Sequence, residues 1–121
     1  MIKRPSEFDN YTLNAYQADT AETAIYRDKI IYPALGLVNE AGEVAGALKK
    51  IMRDEHVSVE GFALTDKQRL TVAAELGDVL WYIAALSRDL NISLNDIAKM
   101  NIEKLADRKE RGVIGGSGDN R

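Results

Sequence analysis

A chain of 121 residues has the length of one domain, so one core and one site, or a site repeated in an oligomer, are expected. With 45% hydrophobic and 29% charged residues the composition is globular, and a net charge of −3 leaves no basic surplus to neutralise a nucleic-acid polymer, although a local cationic patch can still hold a small anion. Cysteine is absent, which excludes disulfides, thiolate zinc sites and cysteine nucleophiles.

In chain order, the opening MIKRPSEFDN lacks the apolar core of a secretory signal, and no run reaches the roughly 18 apolar residues of a membrane span. A cytoplasmic protein with no membrane partner is the expectation. Four segments have helical periodicity and none has the sustained alternation of a strand. The first runs from about Thr12 to Arg27. The second runs from about Tyr32 to Arg53, with Pro33 tolerated in the first turn, where its missing N–H costs nothing.

Residues 54–64 read as a loop or a brief extended excursion. Thr65 followed by Gln68 is a capping box, in which hydroxyl and amide each serve an orphan N–H, and it starts a third helix reaching about Leu90. Ser93 with Asp96 repeats the device in weaker form and opens a fourth helix to about Arg111. The closing GVIGGSGDNR is too rich in glycine for a helix. It reads either as a frayed end or as a cover over a site, with backbone N–H groups and Arg121 available to an anion.

The expected fold is all-α: a helical domain over residues 1–111 and a Gly-rich tail over 112–121. One Trp, two Phe and alanine-rich helices make a thin core for a four-helix bundle-like subunit, so completion by oligomerisation, as a homodimer or homotetramer, is expected.

An acidic phrase occurs twice, as VNEAGEVAGAL at 38–48 and AAELGDVLWYI at 73–83. On a helical wheel advancing about 100° per residue, Leu37, Val44, Ala47 and Ile51 fall within about 60° of Glu40, and Glu43 lies about 60° aside. Val79, Tyr82 and Leu86 fall within about 40° of Glu75, with Asp78 about 60° aside. Both helices therefore carry acids on an apolar stripe. Gly42 and Gly77 lie opposite, where glycine costs roughly 1 kcal/mol against alanine, so a close helix approach or tight backbone contact is expected at each.

Four carboxylates on inward faces repel one another, and neither phrase contains Lys or Arg. A hard cation with oxygen ligands, Mg²⁺ or Mn²⁺, resolves the repulsion. The alternative is a set of boundary acids paired with lysines of other helices. A di-iron bundle would need Glu-x-x-His pairs, and the single histidine, His56, lies in the loop. On the fourth helix Asn101, Lys104 and Arg108 recur at i, i+3 and i+7, a single stripe. It reads either as cationic decoration of a helix C-terminus or as a phosphate clamp.

These residues resemble the all-α nucleoside triphosphate pyrophosphohydrolases, a superfamily including MazG, dimeric dUTPases, dCTP pyrophosphatases and phosphoribosyl-ATP pyrophosphohydrolase. The likeness rests on E-x-x-E at Glu40 and Glu43, E-x-x-D at Glu75 and Asp78, and the stretches GLVNEAGEVAGALKKIMRD, ELGDVLWYIAALSRDL and NIEKLADRKERGVIGGSGDNR, with Tyr16 and Gln17 upstream. The 31 residues separating the two phrases are long for that family, and the loop at 54–64 reads as an insertion bearing on substrate identity.

The resemblance implies hydrolysis of a nucleoside triphosphate between the α and β phosphates. It assigns Glu40, Glu43, Glu75 and Asp78 to Mg²⁺, turns Asn101, Lys104 and Arg108 toward the nucleotide, and makes Gln17 a base-edge contact. Glu43 is the choice for general base. Tyr82, one turn beyond Asp78, is expected beside a base or sugar, and Trp81, about 100° from it, is expected in the core. The contrasting expectation is a non-catalytic helical module that binds a nucleotide or a protein and keeps the acids for structure.

Overall fold

In a computed structural model, which describes residues 10–56, 58 and 63–121, the chain forms four α-helices. They are α1 (Leu13–Thr20), α2 (Ile31–Glu55), α3 (Asp66–Asp89) and α4 (Leu94–Glu110). No strand occurs among the described residues. The connection read as an insertion lies partly outside them.

The caps fall where their chemistry predicts. Thr65 Oγ1 accepts from Gln68 N at 3.3 Å while Gln68 Oε1 accepts from Thr65 N at 2.7 Å, closing the box that starts α3. Ser93 Oγ accepts from Asp96 N at 3.0 Å at the head of α4.

The first helix is shorter than its periodicity suggests. α1 gives way after Thr20 to a single 3₁₀ turn, Ala21–Thr23. Two threonine hydroxyls bond back to the chain there, Thr20 to Gln17 O at 2.7 Å and Thr23 to Thr20 O at 3.2 Å. Arg88 of α3 reaches across to Gln17 O at 3.0 Å and Thr20 Oγ1 at 2.8 Å, giving a terminal carbonyl its partner.

α2 starts without a cap of its own. Ile30, at φ +67, occupies the left-handed region that a β-branched residue rarely adopts. Asp89, at the far end of α3, holds it there: Oδ2 accepts from Ile30 N at 2.9 Å and from the Tyr26 hydroxyl at 3.0 Å. A carboxylate remote in sequence thus acts as the missing cap and fixes where α2 begins relative to α3.

α2 pairs chiefly with α3, and α1 and α4 lean against α3. The pair is antiparallel: Gln68 at the start of α3 donates to Glu55 at the end of α2, and Gly36 near the start of α2 meets Tyr82 near the end of α3. A Cβ built on Gly36 would stand 2.1 Å from Tyr82 Cε1. Gly36 is one turn before Glu40 on the same stripe, and the ring occupies the space that its missing side chain leaves. The close approach expected at Gly42 and Gly77 is absent: nothing described lies within 4 Å of a Cβ at either. Both are on the side of their helices turned away from the α2/α3 seam.

The inward stripes are as the wheel places them, with Leu37, Val44, Ala47 and Ile51 half-buried beside Glu40 and Val79, Tyr82 and Leu86 half-buried beside Glu75. Buried apolar side chains are few among the described residues: Pro33, Ala84, Ala85 and Leu94. Large apolar residues stay in water on the outer faces, among them Leu35 and Val38 of α2, Leu70 and Leu76 of α3, and Met100 and Ile102 of α4. Length and mean hydropathy alone would let α3 cross a membrane, but Glu75 and Asp78 sit mid-helix and face α2.

Candidate active site

The two acidic phrases meet at the α2/α3 seam because the helices run antiparallel with their acid stripes inward. Carboxylate oxygens of Glu40, Glu75 and Asp78 lie within 4.8 Å of one another. Glu40 and Glu75 are half-buried, and Asp78 is exposed at the rim. Glu43, expected as a fourth member, is exposed and stands outside this group; its Oε2 lies 4.0 Å from a Cβ built on Gly46, one turn further along its own helix. Its position aside from the stripe puts it at the margin of the seam.

Beside the acids opens a cavity of about 620 Å³, lined by Glu40 and Asp78 together with Thr23, Ile25, Tyr26, Tyr32, Trp81 and Tyr82. Four aromatic rings form its wall. Tyr26 stacks on Tyr32 with centroids 5.1 Å apart, and Trp81 meets Tyr82 edge-on at 4.9 Å and Tyr26 edge-on at 6.3 Å. The Trp81 indole donates to Thr23 Oγ1 at 2.8 Å. Trp81 is therefore cavity wall rather than core, because the 3₁₀ turn ending α1 supplies a partner for its N–H.

Burial, the neighbouring Tyr32 phenol and the charges of Glu40 and Asp78 together raise the pKa of the Tyr82 hydroxyl. Tyr16 is raised as well, by burial and then by the charge of Asp78. Both phenols stay protonated through neutral pH, as donors near an anionic cluster. Thr23, Ile25, Tyr26 and Tyr32 escape the sequence reading: the first three fall in the span expected as a first helix, which in fact ends at Thr20, and none of the four carries a charge that would mark a site.

The remaining expected residues are not on this wall. Gln17 lines a separate hollow, and both ends of its amide are engaged: Nε2 donates to Ile92 O at 2.9 Å and Oε1 accepts from Leu94 N at 2.8 Å. It ties α1 to the α3–α4 turn instead of presenting an edge to a base. Asn101 is exposed on α4. Lys104 and Arg108 do converge on one anion, the side chain of Asp119, with Nζ at 3.5 Å and Nη2 at 3.0 Å from Oδ1.

The donor set at the seam is three carboxylates, with no Lys or Arg among the described residues lining the cavity. Oxygen-only ligation with uncompensated negative charge suits a hard divalent cation, so the residues present fit one. An all-α fold with such a cluster beside an aromatic-walled cavity suits a divalent-metal-dependent enzyme with an aromatic substrate. The sequence model of the MazG nucleotide pyrophosphohydrolase domain matches residues 33–113, and the chain belongs to that family.

The matched span includes both acidic phrases and the α4 stripe but not Gln17. The family acts on nucleotides and depends in general on divalent metal, in keeping with the acidic cluster. The chain is similar to the Gene 37 protein of Mycobacterium phage L5, at 43% identity over 117 residues, covering 90% of this chain and 98% of that one. It is also similar to the uncharacterized protein YvdC of Bacillus subtilis (strain 168), at 40% identity over 76 residues, covering 61% of this chain and 70% of that one. No solved structure matches.

Proposed function

We propose that this protein is a cytoplasmic, Mg²⁺-dependent pyrophosphohydrolase that cleaves a (deoxy)nucleoside triphosphate between the α and β phosphates, releasing nucleoside monophosphate and pyrophosphate. The observation that carries the reading is the trio Glu40, Glu75 and Asp78, with oxygens within 4.8 Å of one another at the edge of an aromatic cavity of about 620 Å³. That volume falls in the range of about 300–1,000 Å³ typical of small-ligand sites.

Glu40, Glu75 and Asp78 hold the cation, for which Mn²⁺ can substitute. When bound, the ion neutralises charge on phosphoryl oxygens and acidifies water. Glu43, exposed one turn beyond Glu40, is the proposed general base and an additional ligand when its side chain turns to the seam. The base stacks on the wall formed by Tyr26, Tyr32, Trp81 and Tyr82, a contact worth about 1–3 kcal/mol per base. Lys104 and Arg108 receive the phosphates, with Asn101 on the same stripe. The exposed apolar faces of α2 and α3 support a homodimer or homotetramer.

The test is incubation of the purified protein with a panel of ribo- and deoxynucleoside triphosphates, with and without Mg²⁺, and identification of the products. Monophosphate plus pyrophosphate, formed only with metal, is the expected result and ranks the bases. No product from any nucleotide would overturn the assignment in favour of a binding module.

A further inference from the structure

The C-terminal tail ends on the cationic stripe of α4. Arg108 is 5% exposed, and its Nη2 donates to both the backbone oxygen and Oδ1 of Asp119, each at 3.0 Å. Lys104 Nζ stands 3.5 Å from the same Oδ1. Asp119 itself is 84% exposed. The anion is thus brought to a buried guanidinium from the solvent side.

The fit is incomplete. Arg108 Nε is buried and has no hydrogen-bond partner among the described residues. A guanidinium offers five donors in a rigid fork, and Asp119 engages it through Nη2 alone, leaving the N–H of Nε without an acceptor. A phosphate carries enough oxygens to meet Nη2, Nε and the Lys104 ammonium together.

The tail is held lightly. Gly116 at φ +95 and Gly118 at φ +83 turn it back on α4, a course closed to most other residues. Arg111 donates to Arg121 O at 2.8 Å, and Arg121 donates to Gly118 O. These are solvent-exposed contacts with little apolar burial, the kind that open locally at small cost. The hydrogen bond from Arg108, with the charge of Lys104 behind it, lowers the pKa of the Asp119 carboxyl, so it is an anion throughout the neutral range.

We propose that Lys104 and Arg108 form a phosphate seat that the chain keeps filled with its own Asp119, making the tail an internal competitor of the nucleotide phosphates. This deepens the assignment above and rests on it for the identity of the ligand. Phosphate binding then requires the tail to lift, and the apparent affinity is lowered by the fraction of molecules in which it is closed.

Calorimetric titration with pyrophosphate in metal-free buffer tests the seat without involving the carboxylates at the seam. Asp119→Asn should bind pyrophosphate about two- to fivefold more tightly than the native chain, the range expected for removing one exposed ionic competitor. Lys104→Ala, at a half-exposed position, should weaken binding and shrink the gain from Asp119→Asn. An unchanged or weaker affinity in Asp119→Asn, or no binding to either form, overturns the proposal.

The same variants assayed with the panel of nucleoside triphosphates separate this inference from the function. Tighter pyrophosphate binding with no nucleotide turnover would leave the seat standing and sink the assigned reaction. Turnover with neither Kd nor KM altered by Asp119→Asn would reduce the tail to a structural cover.

Discussion

Three helical glycines, replaced in turn by alanine, should give opposite outcomes. In a helix interior the substitution gains about 1 kcal/mol of propensity. At Gly42 and Gly77 the new methyl meets nothing described within 4 Å, so that gain stands alone. At Gly36 the methyl would lie 2.1 Å from Tyr82 Cε1 and 2.5 Å from two further ring atoms. The ring must retreat by more than an ångström, and it has Trp81 edge-on at 4.9 Å behind it.

Overpacking of this kind costs about 1–3 kcal/mol, sometimes more. Gly36→Ala should therefore fall below Gly42→Ala and Gly77→Ala by that amount, or by roughly 4–12 °C in Tm for a domain of this size. Thermal unfolding followed by circular dichroism reads the difference, and Trp81 fluorescence reports displacement of its neighbour. Equal Tm values for Gly36→Ala and Gly42→Ala would refute the close contact. A loss of stability at Gly42 or Gly77 would refute the open space there and place a partner's backbone on that face.

Glu43→Gln should abolish nucleotide turnover while the fold survives; unfolding, or full activity, would contradict the role given to it. Glu75→Gln should raise Tm in metal-free buffer, because one of three mutually repelling carboxylates is neutralised, and should reduce the stabilisation that Mg²⁺ gives the native chain, both visible in melting curves with and without the ion. Lys104→Ala should raise KM with little change in kcat, and an unchanged KM with lost kcat would contradict a phosphate contact. The Tyr11 phenol is pushed up to about 12, first by its hydrogen bond to Asp19 and then by burial and that carboxylate's charge. Because the folded value exceeds the ordinary 10.0, the contribution of the pair to stability is complete below about pH 10 and is lost as pH rises through 12. Ultraviolet titration of the native chain and of Asp19→Asn, in which the high transition should move down, checks it.

Helix identity was legible in the sequence because it depends on neighbours within one or two turns. Thr65 with Gln68, and Ser93 with Asp96, each place cap and partner three residues apart, and the 3.6-residue period alone put Glu40 and Glu75 on half-buried stripes. What the tertiary structure decided involves partners far apart in the chain. α1 stops at Thr20 under Arg88; Gln17 is taken up by the α3–α4 turn; and Trp81 becomes cavity wall because Thr23 waits across the gap. The offset of α2 along α3, fixed by Asp89 holding Ile30 and by Tyr82 lying over Gly36, selects Glu40, Glu75 and Asp78 and leaves Glu43 at the margin. A helical period fixes the face a side chain takes, but only the crossing and stagger of two helices determine which side chains on those faces meet. For the same reason the stripe at Lys104 and Arg108 could be read from spacing, whereas its occupant, Asp119, could not: the glycine turns that bring the tail back define no period.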